Sequence, residues 1–226
     1  MKLLAVGIIY PISDSQWVSP VQVVPKKSRM TVMKTNKTSW YLFGFRIAGE
    51  ESHYCFLDGF SGYMQIYMAP EDQHKTTFTC TFGTFAYTHM PFGRCNAPST
   101  FQRCMTSIFL DLLQECMEVF MDDFTVYADS FKACLENLSK VLKRCIDTNL
   151  VLNFKKCHFI VTEGIVLGHL VSNRGIEVDK SKIDIICSLP NPTSVREVRS
   201  FLGHVGFYRT FIKNFSKLAL PLSRLI

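Results

Sequence analysis

The 226-residue sequence predicts an α+β fold, and two patterns lead to this prediction. Residues 56–60 and 120–124 each set one or two Asp residues into an apolar run that is typical of a buried strand. Other segments repeat apolar side chains every three or four residues, which is typical of amphipathic helices. Hydrophobic residues make up 47% of the chain, so it can bury a sizeable core, in one domain or in two.

Strand signals dominate the first hundred residues. Aromatic and β-branched residues bounded by Gly or Pro predict strands at residues 17–24, 54–57, 64–68 and 76–82. Pro98 then opens a helix whose apolar side chains recur at helical spacing as far as Leu112.

The second half alternates strands with helices. Residues 119–120 and 125–127 are expected to form the two arms of a hairpin, and a helix follows at 132–147. Further strands are predicted at 151–154, 159–161 and 166–171. Asp179 can cap a short helix. Ser194 and Glu197 form a capping box for a longer helix whose apolar face continues to Phe211.

Charge is segregated along the chain. The total net charge is +6, and it divides into +6 over residues 1–49, −4 over residues 50–174 and +4 over residues 175–226. Basic flanks suit contacts with a polyanion, and an acidic middle suits metal ions. Ordinary solvated surface charge is the alternative. The basic side chains beside the last long helix are likewise compatible with simple packing or with nucleic-acid binding.

The cysteine pattern and the hydropathy suggest an intracellular protein. Nine cysteines without a C-x-x-C pair argue against a disulfide framework or a zinc ribbon and favour a reducing compartment, the cytoplasm or the nucleus. No stretch approaches the ~18 apolar residues of a membrane span, and the first ten residues lack the features of a signal peptide. We therefore expect no membrane association.

Asp58, Asp122 and Asp123 are the candidate catalytic residues. Burying an ionised carboxylate costs several kcal/mol unless a partner compensates, and a divalent metal ion is the usual partner. Two such sites suggest carboxylates that meet across a sheet to hold metal for phosphate chemistry. For the Asp122-Asp123 doublet the alternative is a solvent-exposed turn.

Several motifs together resemble a known family. The sequences DGFSGY (58–63), MPFG (90–93), NAPSTFQ (96–102), FMDD (120–123) and LGH (167–169) stand in the order typical of reverse transcriptases. The pattern is most similar to gypsy-like long-terminal-repeat retrotransposons, especially those of plants, and FLGHVGFYRTFI (201–212) resembles the segment that joins polymerase to RNase H in their Pol polyproteins. The resemblance covers nearly all of residues 1–34 and 52–226.

The resemblance implies a right-hand polymerase with fingers, palm and thumb, in which helices back an antiparallel palm sheet and the fingers are incomplete. Residues 1–51 would be partial fingers with an aberrant segment at 35–51. Residues 52–174 would be the palm, with a fingers part at about 77–100, and residues 175–226 the thumb and the start of the connection. The chain would be truncated, since it ends before any RNase H or integrase region.

The family pattern assigns Asp58 and Asp122 as ligands of two Mg²⁺ ions, with Mn²⁺ as an alternative, and Asp123 as the third acid. Because alternate strand residues face opposite ways, we expect Asp122 to point toward Asp58 and Asp123 to lie to one side. The implied partners are an RNA or DNA template with its primer, and dNTPs. The oligomeric state stays open.

The family pattern also assigns a nucleotide-binding set. Tyr63 corresponds to the aromatic residue that excludes a 2′-hydroxyl, although core packing would also explain a tyrosine here. Lys26 corresponds to a lysine that meets the triphosphate, with a solvated loop as the alternative. The remaining assignments are Phe92, Gly93 and Gln102 for the nucleotide, and Leu167, Gly168 and His169 for the primer.

The sequence departs from the family pattern at residues 35–51, where a fingers strand and a second triphosphate-binding cation are expected, and at Arg94, where an aliphatic residue is usual. We therefore predict an RNA-directed DNA polymerase fragment, a nucleotidyltransferase, that is impaired by the loss of a fingers strand. One alternative is an inactive remnant that at most binds nucleic acid. Another is a two-metal nuclease, which would have no use for Tyr63 or for the strip at Phe92 and Gly93.

Overall fold

The computed structural model describes residues 2–13, 15–20, 51–113 and 115–225, which fall into two compact units. The first unit contains the described residues up to 20 together with His53–Val161, and the second contains residues 51–52 and 162–225. Within these ranges, no helix combines the length and the apolar character that crossing a bilayer requires.

The first unit is built from eight strands and four α-helices among its described residues. The strands are β1 (Ile9–Pro11), β2 (Ser19–Pro20), β3 (His53–Asp58), β4 (Phe78–Cys80), β5 (Gly83–Tyr87), β6 (Met117–Phe120), β7 (Asp123–Ala128) and β8 (His158–Val161). The helices are α1 (Lys2–Ala5), α2 (Pro70–Gln73), α3 (Ala97–Ile108) and α4 (Phe131–Asp147).

The central sheet has the order β6-β7-β3-β8, and all its neighbours are antiparallel. Alternate residues such as Leu57 and Phe124 face a core that contains the apolar sides of α3 and α4. Phe101 and Met105 of α3 are fully buried there. Helix α4 lies where the apolar spacing predicted it, and Ser130 caps it by accepting a hydrogen bond from the Ala133 amide. Helix α3 begins as predicted but ends at Ile108 rather than continuing to Leu112.

A second, smaller sheet has the order β1-β5-β4-β2. The prediction of one strand over residues 76–82 was wrong in extent. Strand β4 covers only Phe78–Cys80, and a tight turn then leads into β5, which pairs antiparallel with β4. Gly83, with a φ of 125°, provides a backbone conformation that other residues rarely adopt. The strand-like composition continues through both strands, so it conceals the turn.

Two further predicted strands are not regular strands, and each overlaps one end of a 3₁₀ helix. Residues 64–68 contain the end of a 3₁₀ helix, Gly62–Gln65, because Ser61 (φ 60°) and Gly62 (φ 44°) turn the chain back directly after β3. In the segment 151–154, Leu152 forms a single bridge with Gly59, and the 3₁₀ helix Phe154–Lys156 begins at the segment's last residue. Tyr67 likewise forms a single bridge, with His89, so each segment meets a neighbouring segment without becoming a regular strand.

The described part of the second unit contains three strands and three α-helices. The strands β9 (Glu163–Val166), β10 (His169–Ser172) and β11 (Gly175–Val178) form an antiparallel sheet, and the helices are α5 (Lys180–Cys187), α6 (Val195–Phe207) and α7 (Phe215–Ser223). The predicted caps are confirmed: Asp179 accepts from the Ser181 amide and Ser194 from the Glu197 amide.

Two boundaries in this unit differ from prediction. The expected strand at 166–171 is split by a turn at Leu167 and Gly168, both at positive φ. Helix α6 ends at Phe207 rather than continuing to Phe211, and a 3₁₀ turn, Arg209–Phe211, follows it. In the first unit, half of the predicted strand at 17–24 lies outside the described residues, and the described half shows only Ser19–Pro20 as β2. The predicted boundary between palm and thumb, at residues 174 and 175, lies within the second unit and stays a prediction.

Candidate active site

The last residues of β3 and the first residues of β7 bring two carboxylates together. Asp58 pairs directly with Asp123 in the antiparallel ladder, so both side chains project from the same face of the sheet. The preceding pair, Leu57 and Phe124, belongs to the apolar core. The alternation of the pleat therefore directs Asp58 and Asp123 to the face opposite the helices.

Asp122 lies in the two-residue turn between β6 and β7. Phe120 pairs with Asp123, which leaves only Met121 and Asp122 to connect the strands. The Asp122 carbonyl accepts a 2.7 Å hydrogen bond from the Gly59 amide. A Cβ at Gly59 would lie 3.3 Å from the Asp122 Cβ, and one at Gly62 would lie 3.2 Å from Asp122 Oδ2. The two glycines after β3 thus make room for the Asp122 side chain.

This register changes the predicted geometry of the doublet. Asp123 was expected to lie to one side, but the ladder places it directly opposite Asp58, whereas the expected direction of Asp122 toward Asp58 stays a prediction. Burial raises the pKa of Asp123 to about 6, and the charges of Asp122 and Asp58 add to this effect. A cation near these acids favours the charged form of Asp123.

Among the described residues, Lys156 is such a cation, and the sequence analysis missed it. Its Nζ lies 3.1 Å from Asp58 Oδ2. Hydrogen bonding to Asp58 raises the pKa of Lys156, and the charges of Asp58, Asp122 and Asp123 raise it further. Lys156 stands 98 residues after Asp58, in the 3₁₀ helix that precedes β8, and no local motif links the two positions.

The donor set fits Mg²⁺. Among the described residues no group of three His, Cys, Asp or Glu side chains could hold a metal ion by itself. Mg²⁺ is usually bound in proteins by one or two carboxylates, with water and substrate phosphates completing the shell. Carboxylate oxygens of this kind come from Asp58, whose side chain is 20% exposed, and from the neighbouring Asp122 and Asp123. The raised pKa of Lys156 beside them shows that this position stabilises a positive charge.

An aromatic cluster lies beside the carboxylates. The half-buried ring of Tyr63 lies 5.1 Å from the Phe92 ring and 5.3 Å from the Phe101 ring. Burial raises the pKa of Tyr63, and the charge of Asp122 contributes to the same shift. Phe92 is 61% exposed, and Gly93 (φ 90°) has open space around its Cα. The structure thus brings Tyr63, Phe92 and Gly93 together near Asp122, with two exposed surfaces free to meet a ligand.

Gln102, which the family pattern assigns to the nucleotide, uses its side-chain amide within the protein. Its Oε1 accepts a 2.6 Å hydrogen bond from the Met121 amide, and its Nε2 donates to the Val119 carbonyl at 3.0 Å. The side chain of Gln102 therefore braces the turn that carries Asp122.

A second glutamine braces the turn after β3, and the sequence analysis did not find it. Gln65 Nε2 donates to the carbonyls of Phe60 (2.6 Å) and Val151 (3.0 Å), and its Oε1 accepts from the Val151 amide (2.7 Å). These bonds tie the 3₁₀ helix of Tyr63 to the loop that leads to Lys156. A polar residue within an apolar run was the only signal in the sequence.

The three residues assigned to the primer lie in the second unit. Leu167 and Gly168 form the turn between β9 and β10, and His169 begins β10. His169 is 6% exposed, and its ring lies against those of Phe207, Tyr208 and Phe211. Burial lowers the pKa of His169. The imidazole is thus part of an aromatic cluster, and the turn residues remain for contact with a ligand.

Two predictions cannot be located. Lys26 and residues 35–50 of the aberrant segment lie outside the described residues. The triphosphate-binding role of Lys26 stays a prediction from the motif.

Comparison with known proteins identifies close relatives of the sequence. Residues 12–205 match the family described as reverse transcriptase (RNA-dependent DNA polymerase). Three relatives from Drosophila melanogaster are retrovirus-related Pol polyproteins. That of transposon opus is 33% identical over 99% of this chain, that of transposon 297 is 38% identical over 77%, and that of transposon gypsy is 32% identical over 100%. The chain spans only 24%, 16% and 24% of these relatives.

Solved structures show the same fold. The foamy viral protease-reverse transcriptase dRH in complex with double-stranded DNA superposes with a TM-score of 0.84, at 23% identity, over 99% of this chain and 41% of its own. The foamy viral protease-reverse transcriptase in complex with an RNA/DNA hybrid gives a TM-score of 0.72, at 24% identity, over 78% of this chain and 24% of its own. The predicted α+β polymerase fold is confirmed.

Proposed function

The chain belongs to the reverse transcriptase (RNA-dependent DNA polymerase) family, and on that premise we propose that it is a polymerase fragment that adds dNTPs to a primer 3′-hydroxyl. The template would be RNA or DNA. The observation that carries this proposal is the meeting of Asp58, Asp122 and Asp123 at one end of the central sheet. The plant origin of the sequence stays a prediction.

The carboxylates would hold the catalytic ions. When bound by Asp58 and Asp122, two Mg²⁺ ions, or Mn²⁺ in their place, supply activation of the 3′-hydroxyl and stabilisation of the leaving pyrophosphate. Asp123 would keep the site negative beside them. Lys156 would leave the Asp58 oxygen that it contacts in the free protein, since the same oxygen cannot serve a metal ion and the ammonium group equally well.

The aromatic cluster would receive the incoming nucleotide. The Tyr63 ring, which packs against the Phe101 ring, would contact the sugar and leave no room for a 2′-hydroxyl. The exposed ring of Phe92 and the open backbone at Gly93 would form the adjoining surface. Nucleic-acid partners are supported by the double-stranded DNA and the RNA/DNA hybrid in the related foamy viral structures.

Impaired triphosphate binding is part of this proposal. Residues 35–51 lack the motif of the expected fingers strand, so Lys26 would meet the triphosphate without a second cation. The same departure favours a second candidate, an inactive remnant that binds nucleic acid through its basic flanks. The two candidates differ in whether primer extension occurs at high dNTP concentration.

Primer extension on an RNA template with Mg²⁺ tests the proposal. We expect extension with a high KM for dNTPs, its loss in Asp122→Asn, and its retention in Asp147→Asn, which changes an exposed acid at the end of α4. Primer–template affinity should fall with salt, with a log–log slope of about −0.7 to −0.9 per contacted phosphate. Binding without extension at any dNTP concentration would support the remnant, and absence of binding would reject both candidates.

A further inference from the structure

The turn between β9 and β10 has an unusual backbone. Val166 pairs with His169, so Leu167 and Gly168 alone connect the strands, with φ values of 48° and 79°. Two-residue hairpin turns with both central residues at positive φ favour Asn-Gly, because Asn tolerates this region and Gly has no Cβ. Leucine does not, so Leu167 carries backbone strain that its surroundings must hold in place.

The aromatic residues at the end of α6 hold this turn. The Tyr208 hydroxyl donates a 2.8 Å hydrogen bond to the Gly168 carbonyl. A Cβ at Gly168 would lie 3.3 Å from the Phe207 ring, so the turn backbone lies directly against that ring. The His169 ring stacks on Phe207 at 5.1 Å with an interplanar angle of 28°.

Neighbouring groups hold the Tyr208 side chain in place. Tyr208 caps the C-terminus of α6, where its amide donates to the Val205 carbonyl at 3.1 Å, and it is only 4% exposed. The Phe207 ring meets it edge-on at 4.9 Å and 87°. Because these contacts restrict the Tyr208 side chain to one conformation, its hydroxyl stays in one place. The hydrogen bond to the Gly168 carbonyl therefore fixes the turn relative to α6.

We propose that Tyr208 is a positioning residue for the primer, because its hydroxyl locks the Leu167-Gly168 turn in the strained conformation in which that turn contacts the primer end. This inference rests on the proposed function, since it takes the turn as a primer contact. Tyr208 itself touches only the protein. Loss of the hydroxyl would free the turn to relax while leaving the aromatic packing intact.

The competing explanation is that Tyr208 only packs against its neighbours, and it predicts a different result. If Tyr208 only filled space, Tyr208→Phe would keep the ring and would change neither hydrogen exchange at the turn nor the affinity for primer–template. If the hydroxyl locks the turn, the amides of residues 165–170 should exchange hydrogen faster, by about three- to tenfold for the loss of one hydrogen bond.

The test compares Tyr208→Phe with Tyr67→Phe in the full chain. Tyr67 is 61% exposed and lies in the other unit, so its variant is a matched loss of one hydroxyl. We expect Tyr208→Phe alone to raise hydrogen exchange at residues 165–170 and to raise the primer–template Kd about three- to tenfold, with the KM for dNTPs unchanged within about twofold. Gly168→Ala, which places a Cβ against Phe207, should shift the same quantities in the same direction.

Each outcome decides the proposal. Equal exchange and equal Kd in the two Tyr→Phe variants would overturn it, as would faster exchange with an unchanged Kd, since the turn would then be locked but not used for the primer. If the unmodified chain does not bind primer–template, the proposed function fails and this inference fails with it. The exchange measurement would still show whether the hydroxyl holds the turn.

Discussion

The side-chain amide of Gln102 holds the backbone of Met121 in a left-handed conformation. Met121 has a φ of 54°, and its amide donates to Gln102 Oε1 at 2.6 Å. A methionine at positive φ is strained, and such residues persist only where neighbouring groups fix them. Asp122 follows directly, so the bond from α3 sets the direction in which the proposed catalytic carboxylate leaves the turn.

We expect Gln102→Leu to reduce primer extension by about 10- to 100-fold with little change in primer–template affinity. The substitution removes both hydrogen bonds to the β6–β7 hairpin, and misplacement of a catalytic group by about 1 Å can cost 100-fold in rate. Single-turnover extension measures the effect. Gln73→Leu is the control, because Gln73 is a buried glutamine whose side chain donates to the Met68 carbonyl instead. An equal loss in both variants would contradict a specific role for Gln102.

Tyr63→Ala should admit ribonucleotides. Removal of the ring opens space beside the position of the sugar, so the ratio of kcat/KM for dNTP to that for rNTP should fall by about 10- to 100-fold. Tyr67→Ala, at an exposed tyrosine four residues later, should leave the ratio unchanged. Competitive incorporation from mixed nucleotides gives the ratio. An unaltered ratio in Tyr63→Ala would show that the ring serves only to pack against Phe92 and Phe101.

Lys156→Met should tighten the binding of divalent ions. The Lys156 ammonium group lies 3.1 Å from Asp58 Oδ2 in the free protein, so it competes with a metal ion for that oxygen. Because Lys156 is largely exposed, we expect a modest fall in the Mg²⁺ midpoint of about two- to fivefold. Titration of Mn²⁺ binding by electron paramagnetic resonance measures it without any turnover. Lys155→Met removes the neighbouring charge, and a shift of the same size there would indicate a general charge effect.

Glu118→Gln should stabilise the protein at pH 8 but not at pH 4. Burial raises the pKa of Glu118, opposite Thr125 in the sheet, from 4.5 to about 7. Between these values the folded protein keeps a proton that the unfolded chain has released, so the free energy of unfolding falls as pH rises toward 7. The loss reaches on the order of 3 kcal/mol at pH 8.

Urea unfolding across this pH range checks the Glu118 prediction. The stability curves of the wild-type chain and Glu118→Gln should separate as pH rises and then run parallel above pH 7. Glu136→Gln, at an exposed position on α4, should follow the wild-type curve throughout. A constant gap between Glu118→Gln and wild type at all pH values would mean that ionisation of Glu118 plays no part.

Local sequence patterns were sufficient to predict helices α3 and α4 and the candidate carboxylates. Helices α3 and α4 follow from apolar side chains repeated at helical spacing, and the caps at Ser194 and Asp179 from short polar signals. Asp58 and the Asp122-Asp123 doublet stood out because carboxylates are costly inside apolar strands. These features depend only on residues within about one turn or one strand, which a sequence displays directly.

The sequence by itself determined the fold class, the identity of the three acids and the two main helices of the first unit. Only the tertiary structure decided that Asp123 pairs with Asp58, that Lys156 meets Asp58 from 98 residues away, and that Tyr208 reaches Gly168 from 40. The hairpin turn at Met121 was predicted but its positive φ was not, and the turn at Leu167 was missed altogether, since neither residue type favours the positive φ it adopts. The physical reason is that register and long-range contacts are set by how whole sheets and helices pack, and packing stabilises local conformations that the residues would not choose alone.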